Sequence, residues 1–234
     1  YSLDASDNEY SKLLPWIDTL DKIPFGKYNV PRITKQDNAA KIMEYLAESR
    51  STLDNAVYGH DTAKTQIIST IAHSISNPNQ AGNAIAIQGP MGNGKTTLIK
   101  DGVCKALNRP FSLIALGGLS DASYFHGHEY TYEGARAGRI VDILTETGCM
   151  DPVIYFDELD KLSETPKGEE IMNILCHLTD SSQNKLFQDK YFSGLEFDLS
   201  RALFIFSYND ESKINPILLD RMYKIKTDGF NSKS

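Results

Sequence analysis

Apolar residues recur along this chain in two patterns. Over the first fifty residues the spacing is helical. Leu13, Trp16, Ile17 and Leu20 share one side of a segment spanning 9–20, and Ile42, Met43, Tyr45 and Leu46 share one side of another spanning 38–49. Pro24 and Gly26 end the first segment, and Pro31 separates the two. Ile67, Ile68, Ile71 and Ile75 then mark a third amphipathic helix, closed by Asn77-Pro78-Asn79. Beyond it, short apolar runs alternate with helical segments. The runs 84–87, 111–116, 153–156, 203–206 and 222–225 are strand candidates. The segment 96–107 reads as a helix, as does 169–178, where Ile171, Ile174, Leu175 and Leu178 fall at i, i+3, i+4 and i+7.

Strands too short and apolar to face water, separated by helices, imply an α/β fold: a parallel sheet of about five strands with helices on both faces, preceded by a short helical segment. The expected organisation is a helical segment over residues 1–51, an α/β core over 52–230 and a polar tail over 231–234. Ligands of such sheets bind at the carboxyl ends of the strands.

Bulk composition narrows the chemistry only a little. Hydrophobic residues make up 41% of the 234 positions and charged residues 24%, which is ordinary for a globular protein. The 24 basic and 31 acidic side chains leave a formal charge of −7, and no long basic run is present, so nucleic acid is not the expected partner. Cys104, Cys149 and Cys176 are far apart and lack any CxxC pairing, which points to buried free thiols. The cytoplasm or another reducing compartment, an organelle matrix included, is the expected location. No apolar run reaches membrane-spanning length and no signal peptide is visible, so no membrane partner is expected. The chain opens at Tyr1 rather than Met and closes in a polar stretch, so a piece of a longer protein is expected.

Gly89-Pro90-Met91-Gly92-Asn93-Gly94-Lys95-Thr96 satisfies GxxxxGK[ST], with a strand candidate before it and a helix after. Glycines let backbone N–H groups turn in around phosphates, and the helix start adds partial positive charge. ATP and Mg²⁺ are the expected cofactors. Gly89 through Thr96, with Thr97, would hold the nucleotide. Lys95 would reach the β- and γ-phosphates, and the Thr96 hydroxyl would face the metal. This makes the sheet that of a P-loop NTPase. A second signal lies at Val153-Ile154-Tyr155-Phe156-Asp157-Glu158, an apolar strand ending in two carboxylates. Burying adjacent acids costs free energy unless a cation offsets it. Asp157 is the expected metal ligand and Glu158 the general base for the attacking water.

Two further residues carry weaker signals. Asn209 follows the strand candidate 203–206. It is either a turn-forming asparagine or an amide that contacts the γ-phosphate or orients the water. Arg221 follows Leu218-Leu219-Asp220. It is either a salt-bridge partner of Asp220 or another acid, or an arginine offered to phosphate by a neighbouring subunit.

Taken together these residues resemble the AAA+ ATPase module of Lon proteases across nearly the whole chain. The stretches that carry the resemblance are Tyr58-Gly59-His60, the P-loop, Leu116-Gly117-Gly118-Leu119-Ser120-Asp121, Gly127-His128, Thr131-Tyr132-Glu133-Gly134 and Gly138-Arg139-Ile140. Phe156-Asp157-Glu158-Leu159-Asp160-Lys161, Glu196-Phe197-Asp198-Leu199-Ser200 and Ile214-Asn215-Pro216-Ile217-Leu218-Leu219-Asp220-Arg221-Met222 complete it. The resemblance implies that Val57, Tyr58 and Gly59 line an adenine pocket, that Asn209 is sensor 1, and that Arg221 is an arginine finger acting on the adjacent subunit. It implies a pore loop at Tyr132, Glu133 and Gly134 that grips unfolded polypeptide, and a homo-hexameric ring that unfolds and translocates substrates for degradation.

The chain also departs from the family pattern. Glu133 stands where an aliphatic residue usually follows the pore aromatic. A second pore loop, expected near 163–168, has no aromatic, and Tyr155, Phe204 and Tyr208 are bulkier than the family's residues. The family's helical lid with its sensor 2 arginine and its Ser–Lys protease domain have no counterpart among these 234 residues, and no peptidase activity is expected of them. Two other readings share the P-loop: a nucleic-acid-remodelling AAA+ ATPase, which the net charge disfavours, and a non-hydrolysing nucleotide-dependent scaffold, which intact Lys95, Asp157 and Glu158 disfavour.

Overall fold

The computed structural model describes residues 8–77, 84–132, 134–162, 165–227 and 229. Helices α1 (Asn8–Lys22), α2 (Ala39–Ala56) and α3 (Asp61–Ser76) precede strand β1 (Ala84–Gln88). The helix after the P-loop begins as α4 (Lys95–Thr97), widens into a π turn over Leu98–Val103 and finishes as α5 (Cys104–Leu107). Strand β2 (Phe111–Ala115), α6 (Ser123–His126), α7 (Arg139–Thr147) and β3 (Val153–Asp157) follow. The chain continues through α8 (Pro166–Thr179), β4 (Phe187–Gln188), β5 (Glu196–Phe197), β6 (Leu203–Tyr208), α9 (Pro216–Asp220) and β7 (Tyr223–Lys226).

Five strands form one sheet in the order β2-β3-β6-β1-β7, and every neighbouring pair is parallel. The five apolar runs of the sequence are these five strands. Strands β4 and β5 make a separate antiparallel pair. Alternate side chains on a strand point to opposite faces, and here they feed two cores. Ala84, Ala86, Ile154, Phe156, Phe204 and Phe206 enter one, closed by Phe125 of α6, Ile140 and Leu144 of α7, and Ile171 and Leu175 of α8. Ile85, Ile87, Tyr155, Ile205 and Ile225 enter the other, closed by Leu53 of α2, Ile67 and Ile71 of α3, and Leu98 and Ile99 of the π turn. Phe156 and Phe206 stack across the central strands with centroids 4.7 Å apart. Burying each such side chain contributes roughly 1.5–3 kcal/mol. That is why central strands without any polar face are stable here.

The structure differs from the periodicity at several places. Ile17 is 47% exposed and Met43 69% exposed, so neither belongs to its helix's packed stripe. A helix buries a face about 100° wide; Ile17 lies on the flank of the stripe that holds Trp16, and Met43, about 160° round α2 from Tyr45 at about 100° per residue, faces away from the buried Tyr45, Ser49 and Leu53. Helix α2 runs past residue 51 to Ala56, because Leu53 is fully buried and the small Ser49 continues the stripe where apolar periodicity lapses. Helix α7 has no counterpart among the expected elements. All three cysteines are free thiols, but Cys176 is only half-buried. The proposed tail, 231–234, lies outside the described residues.

Candidate functional site

Strand β1 leads into the P-loop, and the chain turns there at Gly92 (φ +72°) and Gly94 (φ +82°), a region that side chains disfavour. Asn93, 2% exposed, ties the loop down. Its Nδ2 donates to Thr227 Oγ1 at 2.8 Å, just past β7. Its carbonyl lies 2.8 Å from His60 Nε2 at the start of α3, and since a carbonyl only accepts, the ring proton is on Nε2. Lys95 folds back over the loop, donating to the carbonyls of Gly89 (2.8 Å) and Pro90 (2.7 Å). Burial pushes the Lys95 ammonium below its usual pKa, and the carboxylates of Asp157 and Asp160 oppose that shift.

Opposite the loop, β3 ends at Asp157. Its Oδ1 accepts from Ser207 Oγ of β6, from Glu158 N (3.1 Å) and from Tyr155 Oη (3.4 Å). Its Oδ2 accepts nothing from any described residue. Glu158 occupies the left-handed region (φ +60°, ψ 48°), a costly conformation for a side-chain-bearing residue. Ser207 Oγ accepts from the Glu158 N–H at 3.2 Å and so helps to hold that bend. Asp160 is 7% exposed and accepts from Asp210 N at 3.2 Å. Between loop and acids lies a cavity of about 400 Å³, lined by Met91 through Thr97, Asp157, Glu158, Asp160, Ser207, Tyr208 and Asn209. Lysine, threonine, paired carboxylates and an amide thus converge at the carboxyl ends of β1, β3 and β6. A cationic group and turned-in N–H groups suit phosphate, and oxygen donors suit a hard divalent cation.

Residues 85–227 match the model of the ATPase family associated with various cellular activities (AAA). The chain belongs to the AAA ATPase family. Within that family it is similar to Lon proteases. It is 40% identical over 199 residues to a Lon protease homolog of Acanthamoeba polyphaga mimivirus, covering 85% of this chain and 19% of the relative. A mitochondrial Lon protease homolog of Yarrowia lipolytica is 36% identical over 98% of this chain and 18% of its own length. A Lon protease of Ureaplasma parvum is 33% identical over 97% and 27%. The chain therefore spans less than a third of each of these relatives. These similarities favour a Lon-type ATPase module over a nucleic-acid remodeller or a scaffold.

The other sequence-derived candidates of this AAA module lie away from the cavity. Val57 is buried in the core, Tyr58 is 71% exposed, and neither they nor Gly59 line the cavity; the segment meets the P-loop through His60. Arg221 is held at the end of α8, its Nη1 donating to the Cys176 carbonyl at 2.6 Å and its Nη2 3.1 Å from Asp180 Oδ2. Its acidic partner is Asp180, not the adjacent Asp220.

Tyr132 is 64% exposed on a loop that turns again at Gly134 (φ +75°); Glu133 lies outside the described residues, as do positions 163 and 164 of the second pore-loop candidate. The base of the Tyr132 loop closes through His128 N donating to Arg136 O at 3.2 Å. The fully buried Asp189 carboxylate anchors it, accepting from Gly138 N and Tyr191 N at 2.8 Å each. Burial pushes Asp189 up to about 6 although both N–H donors favour its charged form. Helix α1 leans on the same loop: Lys12 Nζ donates to Thr131 O at 3.0 Å, and Trp16 packs between Tyr130 and Phe192 while its Nε1 donates to Tyr191 O at 2.9 Å.

Sequence reading singled out neither Ser207, Thr227 nor Asp189, and took Tyr155 only as a bulky strand residue. A polar residue at the end of an apolar strand was a signal available for Ser207. Thr227 and Asp189 had none, because their partners are distant in sequence.

Among the described residues no helix is long and apolar enough to cross a membrane.

Proposed function

We propose that this chain is the ATP-driven motor of a Lon-like protease, binding ATP in the cavity described above, hydrolysing it with Mg²⁺ and using the energy to unfold and move polypeptide. The observation that carries this reading is the opening of Lys95, Thr96, Asp157, Glu158 and Asn209 onto one cavity at the strand ends. In this reading Lys95 exchanges the carbonyls of Gly89 and Pro90 for phosphate oxygens, a stronger charge-assisted contact. Thr96 and the unengaged Oδ2 of Asp157 hold magnesium, which when bound would neutralise charge on the β- and γ-phosphates. Glu158 takes the proton of the attacking water, and Asn209 orients that water or the γ-phosphate. Val57, Tyr58 and Gly59 border the adenine, next to the loop that His60 steadies.

The remaining assignments concern assembly. Arg221 leaves Asp180 and reaches the nucleotide of the neighbouring subunit in a homo-hexameric ring, so that turnover depends on contact between subunits. Tyr132, with Glu133 and Gly134, projects from the loop and grips unfolded polypeptide, as its exposure allows. A reducing compartment, cytoplasmic or within an organelle matrix, suits the three free thiols. Residues 1–51 are assigned to a helical segment and 52–230 to an ATPase core, with α2 crossing that boundary to Ala56 and packing Tyr45 and Leu53 against the sheet.

Turnover of Mg·ATP by the wild type and by Glu158→Gln tests the central claim. The variant is expected to bind a non-hydrolysable ATP analogue normally and to lose at least about a hundredfold in turnover, the scale of a general base. Equal turnover of the two proteins would remove Glu158 from the mechanism. Absence of Mg·ATP binding by the wild type would remove the site.

A further inference from the structure

We infer that Tyr155 is a positioning residue for the metal-binding pair, its phenol accepting a hydrogen bond from the Thr96 hydroxyl and donating its own to the Asp157 carboxylate, so that each proton stays on its oxygen and the Thr96 oxygen presents a lone pair to the cation. The inference rests on the magnesium site proposed above.

Tyr155 is fully buried in β3, with its ring near Phe111 (centroids 6.1 Å apart) in the core beneath the P-loop helix. The core cluster it joins, with Ile87, Leu98, Ile99 and its register partner Ile205, is apolar. Packing alone asks for nothing more than a phenyl ring. The hydroxyl is a single polar atom carried into an apolar layer, and an unpaired one would cost free energy. It emerges at the carboxyl end of the strand. Tyr155 and Asp157 are two residues apart and share a face. Thr96 reaches the same point from the first turn of the helix on the other side.

Donor and acceptor counting sets the proton order. The Ser207 hydroxyl also faces the phenol, but its proton is engaged by Asp157 Oδ1; an ionised carboxylate only accepts, so across the Tyr155–Asp157 contact of 3.4 Å the phenol is the donor. The phenol has one proton and is then left to accept, and Thr96 Oγ1 donates to it at 3.5 Å. Both contacts are long and individually weak. What they decide is direction. A hydroxyl bound to a cation must turn its oxygen lone pair to the metal and its proton elsewhere, and the phenol is what the Thr96 proton points to. The same chain loads Asp157 Oδ1 with three donors, Ser207 Oγ, Glu158 N and Tyr155 Oη, and leaves Oδ2 for the metal.

The test is Tyr155→Phe, which deletes one oxygen and keeps the ring. Binding of a non-hydrolysable ATP analogue is measured by calorimetry in magnesium and in EDTA, with thermal unfolding alongside. The expected result is EDTA affinity within about twofold of wild type, and a magnesium-dependent gain in affinity reduced about three- to tenfold, the scale of one net hydrogen bond. Half-saturating magnesium for turnover should rise by a similar factor. An unchanged magnesium gain in the variant overturns the inference while leaving the site intact. Equal weakening in EDTA and in magnesium, with a lower unfolding temperature, also overturns it, since the phenol would then be core packing. A wild type whose affinity ignores magnesium removes the metal site itself, and this inference with it.

Discussion

The carboxylate of Glu158 lies against Gly117: a methyl group on that glycine would stand 2.5 Å from Oε2, well inside contact distance. Gly117 follows the end of β2, and Glu158 follows the end of β3 in its left-handed bend. The glycine leaves the space that the proposed general base fills. Gly117→Ala is therefore expected to displace Glu158 without touching the P-loop. Turnover should fall about ten- to a hundredfold, up to the lower edge of what a general base contributes because the carboxylate is displaced rather than removed, while analogue binding stays within about twofold. A variant with wild-type turnover would show that the carboxylate position is unimportant.

That relationship also shows where sequence reading succeeds and stops. The runs beginning at Ala84, Val153 and Leu203 were legible as strands because burial on both faces strips them of polar residues, whereas the edge strand at Phe111 alternates buried and exposed positions and still reads as an apolar run. Lys95 and Asp157 were legible because phosphate and metal chemistry restricts residue type at fixed spacing from a strand end. Gly117 against Glu158, and Ser207 against Asp157, were not. They arise from register between strands far apart in sequence, such as Phe156 opposite Phe206. Ile17 and Met43 failed differently: periodicity finds an apolar side but not the edge of the contact at Ile17, and Met43 is an apolar residue on the outer face of α2. Helix α7 has only nine residues, and its opening Arg139-Ile140 registered as part of a motif rather than as the start of a periodic segment.

Asp189 gives a pH dependence of known sign. Its pKa in the fold is about 6, against an ordinary 3.8, with burial as the main cause. The folded protein therefore holds this proton more tightly than the unfolded chain does. The resulting stabilisation is complete below about pH 4 and is lost as pH rises through about 6. Two pKa units amount to about 3 kcal/mol. Asp189→Asn does not titrate, so the stability difference between wild type and variant should drift against the wild type by about that amount from pH 4 to 7. Denaturant unfolding at several pH values measures it. A flat difference would mean that the carboxylate stays charged throughout.

The Arg221–Asp180 pair is partly exposed, with 32% and 19% of the two side chains accessible. Such a pair contributes about 1 kcal/mol or less to stability, so Arg221→Ala and Asp180→Ala should both fold and should unfold within a few degrees of wild type. Their turnover should separate them. Wild-type specific activity is expected to rise with protein concentration as subunits meet. Arg221→Ala should abolish that rise, whereas Asp180→Ala, which frees the arginine, should keep it. Identical behaviour of the two variants would reduce Arg221 to a tie between α9 and α8.

Trp16 is the sole tryptophan of the sequence, and it reports on the Tyr132 loop. Its indole donates to Tyr191 O, and its ring contacts Tyr130, two residues before the exposed tyrosine. Lys12, one helical turn earlier, holds the Thr131 carbonyl. Movement of the loop must therefore alter packing around the indole, and with it the emission wavelength or intensity. In Glu158→Gln protein held with Mg·ATP, adding reduced, carboxymethylated lactalbumin should change Trp16 emission saturably. Tyr132→Ala should remove the change while leaving nucleotide affinity untouched, because the loop lies outside the cavity. An unaltered response in Tyr132→Ala would mean that polypeptide is held elsewhere, and the grip assigned to this loop would be lost.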